Sequence, residues 1–113
     1  MKIAVPVSQG VLSPHFGHCE VFALFAIDPD TKQIVECQTV TPPPHEPGVL
    51  PQWLGEMDVN LVLAGGIGPQ AQNLLAEKGV KAIAGCPSLE PEAVVKQYLN
   101  SSLSTSDNSC NHH

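Results

Sequence analysis

Apolar positions in the first half of the chain come in short unbroken runs. Lys2-Ile3-Ala4-Val5-Pro6-Val7 is nearly continuous before it ends in Ser-Gln-Gly, which predicts a strand covered on both faces. A polar loop with Gly10, Pro14 and Gly17 follows, and Val21 to Ile27 predicts a second strand closed by the turn Asp28-Pro29-Asp30-Thr31-Lys32. Gln33 to Thr41 predicts an antiparallel hairpin partner, with Cys37 a structural residue inside it. Pro42, Pro43, Pro44 and Pro47 then end the pairing, because proline has no amide hydrogen to give a ladder.

The second half changes period. Val49, Leu50, Trp53, Leu54 and Met57 recur at helical spacing, and Val59 to Ala64 is a fourth apolar run that ends in Gly65-Gly66-Ile67-Gly68. Pro69 suits the first position of a helix whose buried stripe is Ala71, Leu74 and Leu75 and whose C-terminal cap is Gly79. Val80 to Ala84 gives a fifth strand, and Pro91 opens a last helix with Val94, Val95, Tyr98 and Leu99 on one side and Leu89 as a staple at its start. A three-strand meander followed by alternating helix and strand predicts an α/β fold with helices packed on a mixed sheet. One ordered domain is expected over residues 1–103, with 104–113 a flexible Cys/His tail of little burial value.

Length and charge narrow the function. A chain of 113 residues has room for one core. Five Lys and Arg against 11 Asp and Glu give a net charge of −6, which repels a phosphate backbone and argues against nucleic acid as a partner. No run approaches the ~18 apolar residues of a membrane span, and the opening lacks a signal-peptide pattern, so no membrane and a cytoplasmic location are expected. Cys19, Cys37, Cys86 and Cys110 are too sparse for a disulfide scaffold, which leaves their thiols for redox or metal chemistry.

Three segments carry candidate chemistry. In Ser13-Pro14-His15-Phe16-Gly17-His18-Cys19, two imidazoles and a thiol fall within five positions. These donors suit zinc, copper, iron and iron–sulfur species. The plain alternative is a pair of solvated histidines beside a small core cysteine. The tail Cys110-Asn111-His112-His113 offers a second thiol and two more imidazoles, and His45 in the proline-rich connection is a weaker candidate. Gly65-Gly66-Ile67-Gly68, between a buried strand and a helix, offers backbone amides and a helix dipole to an anion. It lacks the Lys-Ser or Lys-Thr of a P-loop, and its alternative is a tight strand-to-helix turn. Cys86, before Pro87, could face the same edge as that turn.

Val5-Pro6-Val7, the loop His15-Phe16-Gly17-His18-Cys19, the segment Val62 to Gly68 and the helix closed by Gly79 together resemble the dinitrogenase iron-molybdenum cofactor biosynthesis family. Its members include NifX-like proteins, NifB C-terminal domain-like proteins and the molybdenum-copper orange protein. His45-Glu46-Pro47-Gly48, Pro51-x-Trp53-Leu54 and the tail Asp107-Asn108-x-Cys110-x-His112 are similar to a subgroup of stand-alone members. The resemblance implies a ribonuclease H-like three-layer fold with a five-stranded mixed sheet, in the order β-β-β-α-β-α-β-α. It implies a carrier, storage or delivery role for a metal–sulfur cluster containing molybdenum, copper or iron, without catalysis. Donor and acceptor proteins are the implied partners, and a monomer or weak homodimer the implied assembly.

On this resemblance His15, Phe16, Gly17, His18, Cys19, Gly65, Gly66, Ile67 and Gly68 hold the cofactor. The family's metal ligands carry over to His15, His18 and Cys19 and its tail ligands to Cys110 and His112, while His113 and, more weakly, His45 are added from the residues themselves. The tail departs from the subgroup in carrying Asn111 at a usually acidic position and one extra residue, His113. Nuclease chemistry is not implied, since the first strand carries no carboxylate for magnesium. Two other roles fit the residues less closely. One is a redox- or metal-responsive regulator, and the other is a small enzyme that holds a phosphorylated ligand at the Gly-rich turn with a histidine as acid or base.

Overall fold

The first apolar run becomes the centre of the sheet. The structure, a computed structural model, describes residues 1–43, 48–103 and 105, and for His18 the backbone alone. Its elements are β1 (Lys2–Ser8), β2 (Val11–Leu12), β3 (Val21–Ile27), β4 (Ile34–Val40), α1 (Val49–Glu56), β5 (Leu61–Leu63), α2 (Pro69–Glu77), β6 (Lys81–Ile83) and α3 (Pro91–Leu99), with a 3-10 turn at Phe16–His18. The strand order is β4-β3-β1-β5-β6, and β2 pairs with β1 off this path. β1, β3 and β4 form an antiparallel meander, while β1, β5 and β6 run parallel. The sheet is therefore mixed, as predicted. The two-residue β2 makes its strands six instead of five. So short a strand carries no hydrophobic period that a sequence could display.

Both faces of the sheet are covered, which accounts for the unbroken runs. Ile3, Val5, Val7, Phe25 and Leu63 point to one side, where Val94 and Val95 of α3 close the core. Ala4, Phe22, Leu24 and Val62 point to the other, against Leu50 and Leu54 of α1 and Leu75 of α2. Helix, sheet and helices thus form three layers, with the alternating residues of each central strand feeding one core apiece. Phe22 is fully buried and meets Phe16 and Trp53 edge-to-face, with ring centroids 5.9 and 5.5 Å away. Leu89, in contrast, is 40% exposed and does not staple α3.

The helices end alike. After α2, Gly79 takes φ +78°, its N–H donates to the Ala76 carbonyl at 3.0 Å, and the Val80 N–H donates to the Leu75 carbonyl at 2.9 Å. This is the Schellman arrangement, which satisfies the last carbonyls and turns the chain straight into the next strand. α1 ends the same way with Asp58 at φ 61°, and α3 with Ser101 at φ 63°. Val59 donates to Leu54 at 3.2 Å and Ser102 to Gln97 at 2.8 Å. Val59 is consequently part of the α1 cap, and β5 starts at Leu61.

Candidate functional site

Because β1, β5 and β6 are parallel, the loops that leave their carboxyl ends meet at one edge of the sheet. In open α/β sheets ligands bind at this edge, where strand order reverses. Here the reversal lies at β1, which has the antiparallel β3 on one side and the parallel β5 on the other.

Backbone hydrogen bonds lock the three loops together. The Gly66 N–H donates to the Pro14 carbonyl at 2.6 Å and the Phe16 N–H to the Gly66 carbonyl at 2.9 Å. This forms a parallel bridge between His15 and Gly66. On the far side of the diglycine, the Gly85 N–H donates to the Gly65 carbonyl at 2.7 Å and the Cys86 N–H to the Ala64 carbonyl at 2.9 Å. The His-containing loop, the Gly-rich turn and the segment after β6 thus continue the sheet beyond its regular strands. The His15 side chain is exposed at this edge, as is Pro14.

Ser13 holds the loop from below. It is the one buried polar side chain among the described residues, 1% exposed. Its Oγ accepts from the His15 N–H at 3.2 Å and donates to the His15 carbonyl at 3.0 Å, and its own N–H donates to the Pro6 carbonyl at 2.7 Å. A buried hydroxyl must find partners, and here they are the two backbone groups that set the path of the chain through His15. Sequence reasoning gave Ser13 no role, because a serine before a proline in a loop signals only a turn.

The glycines of the turn differ in cause. None of Gly65, Gly66 and Gly68 has positive φ. A Cβ on Gly65 would sit 3.0 Å from the Pro14 Cα and 3.0 Å from the Ser13 carbonyl oxygen, so glycine there lets the loop lie against the turn. A Cβ on Gly68 would meet nothing within 4 Å, and its φ of −69° suits any residue. Gly68 precedes α2, whose first turn has no side-chain cap and no acidic residue. By helix geometry the amides of Gln70 and Ala71 have no intrahelical acceptor.

Not every residue predicted for the site reaches it with its side chain. Phe16 is 5% exposed and Ile67 is 1% exposed, both packed in the α1/α2 core, so only their backbones can face a ligand. Cys19 is half-buried against the same core. Burial pushes its thiol up to about 11, against a smaller opposing effect of the Cys19 and Val7 amides. Gly17 is half-buried in the 3-10 turn, and the His18 backbone closes that turn. The Cys86 backbone lies at the expected edge, but its thiol is buried on the α3 side. There it donates to the Ile83 carbonyl at 3.6 Å, and burial raises it to about 11. Cys37 is exposed on β4 rather than internal. Of the secondary ligands, His45, Cys110, His112 and His113 lie outside the described residues.

Among the described residues no group of three or more His, Cys, Asp and Glu side chains stands ready to hold a metal ion. No described helix is long and apolar enough to cross a membrane.

Comparison with known proteins agrees with this architecture. An uncharacterized protein of Methanocaldococcus jannaschii is 36% identical over 84 residues, which span 71% of this chain and 70% of the relative. The crystal structure of PH0822 superposes with a TM-score of 0.83 at 24% identity, covering 94% of this chain and 96% of that one. The apo form of the orange protein from Desulfovibrio gigas superposes with a TM-score of 0.72 at 22% identity, covering 95% and 93%. These two likenesses establish the fold. The family model described as dinitrogenase iron-molybdenum cofactor matches residues 1–101, nearly all of the described chain, and the protein belongs to that family.

Proposed function

We propose that the protein carries an anionic metal–sulfur cluster or metal cofactor as cargo on the carboxyl edge of its sheet and passes it between donor and acceptor proteins without transforming it. The observation that carries this reading is the His15–Gly66 bridge. It brings the loop that carries the soft donors against the Gly-rich turn, which supports a guest that meets both.

The donor set suits a guest that brings its own sulfide. A bare zinc ion needs about four protein ligands in a closed structural site. The described residues offer the exposed His15 and, four positions on, the half-buried Cys19, and the chain adds His18 one residue before Cys19. A preformed cluster needs fewer anchors from the protein, and its negative charge is met by imidazole N–H groups and by the amides that open α2. The open space at Gly68, where neither conformation nor packing calls for glycine, leaves room for close approach to those amides. Burial holds the Cys19 thiol protonated, so ligation there must displace a proton.

The test is reconstitution without air, using molybdate, cuprous or ferrous ion and sulfide. The expected product is a coloured protein complex with a fixed metal content per chain, and His15→Ala, His18→Ala and Cys19→Ala each lower that content. A triple variant that folds and retains the parental spectrum and metal content would show that the cargo sits elsewhere.

A further inference from the structure

The two edges of the sheet are built differently. At one edge β6 has only three residues and starts with the exposed Lys81. Short, charged edge strands resist pairing with other chains. At the other edge β4 has seven residues, and no described strand pairs with its outer side. All side chains from Val35 to Thr39 are exposed. The strand contains no proline or lysine, and Glu36 is its single charge. Val35, at 65%, is the most exposed large hydrophobic residue described. A register shift opposite Ala26 and Ile27 leaves Val35 without a partner on β3, and the ladder is regular from Glu36 to Val40, the stretch available for pairing.

We infer that this edge pairs antiparallel with the same edge of a second copy of the chain, about a two-fold axis through Cys37. Isologous pairing demands a self-complementary strand, and β4 is one. The two-fold through Cys37 sets Glu36 opposite Gln38 of the second copy, twice. Each carboxylate then meets a carboxamide that can donate to it, a favourable cross-strand pair. An axis through Glu36 would set carboxylate against carboxylate, and an axis through Gln38 would leave Glu36 facing Val40. A contact between single strands falls short of the roughly 1,200 Å² that stable complexes bury, so the pairing is weak and reversible. It joins two meanders by their outer strands and leaves both carboxyl edges open.

Gln38 is exposed and belongs to neither core, which makes it the place to test the register. Sedimentation of the full chain in reductant is expected to show a mass that rises with concentration from 12.0 kDa toward twice that value. Gln38→Lys places a cation opposite Glu36 of the second copy, and Gln38→Glu places an anion there. The expected dissociation constants differ at least tenfold in that order, with both variants retaining the parental circular dichroism. Diamide, which removes one hydrogen from each of two thiols as the disulfide forms, is expected to trap a covalent dimer through Cys37, located by peptide mass. A single-chain mass up to millimolar concentration overturns the inference, as does equal association of the two variants. The reconstitution experiment varies His15, His18 and Cys19 and neither Gln38 nor Cys37 of β4, so the two proposals fail independently.

Discussion

Gly65 and Gly68 are three positions apart and have opposite sensitivities. Gly65→Ala is expected to cost about 1–3 kcal/mol by overpacking, because the new methyl meets backbone of Ser13 and Pro14 that the bridge holds in place. Urea denaturation measures it. Gly68→Ala is expected to cost less than about 1 kcal/mol, the difference between residues at a helix N-cap, while metal content after reconstitution falls. The same loss of cargo with Gly65→Ala would come from a loop displaced from the turn. The thiols add a pH dependence. Cys19 and Cys86 are both raised from 9.0 to about 11 by burial, so the folded state favours the neutral thiol. Their contribution to stability is complete below pH 9 and is lost as pH rises through 11. Urea midpoints at intervals across that window should fall, and Cys86→Ala should flatten part of the slope. The donor residues of the loop were legible in the sequence because their chemistry is carried by residue type. Ser13 was not, since its importance comes from burial and from two backbone partners that only the folded loop supplies.

At the scale of elements, the Schellman endings make a graded prediction. Gly79 holds φ +78° at no steric cost, whereas Asp58 and Ser101 hold φ 61° and 63° with a Cβ. Gly79→Ala is expected to destabilise the protein by about 1–2 kcal/mol. Asp58→Gly and Ser101→Gly are expected to gain up to about 1 kcal/mol each, less the entropy that glycine adds to the unfolded chain. Thermal melts of the three variants give the order. The end of α2 was readable because a glycine marked it. The ends of α1 and α3 carry no such mark, and the apolar Val59 therefore read as part of a strand when it completes a cap. Strand existence was legible throughout the main path from runs such as Val21 to Ile27. The pairing of Val11–Leu12 was not, because it depends on where β1 ends.

For the whole molecule, cover on both faces of the sheet followed from the unbroken apolar runs, while the relative exposure of the two sheet edges did not. Which strand lies outermost is a matter of topology. The net charge of −6 is a property of the molecule as a whole and has a kinetic consequence. An anionic guest is repelled at long range, and the Debye length falls from ~30 Å at 0.01 M salt to ~8 Å at 0.15 M. Stopped-flow capture of tetrathiomolybdate is therefore expected to speed up as salt is added, opposite to the behaviour of a basic, steering site. The bridge between His15 and Gly66 joins residues far apart in the chain, whereas the β1-β3-β4 meander is complete by Val40. During synthesis the meander can assemble while the diglycine is still unmade, because contacts close in sequence carry the smaller closure entropy. On the proposed reading a nascent chain is accordingly blind to a guest until β5 inserts beside β1, and recognition matures only with the closing stage of assembly.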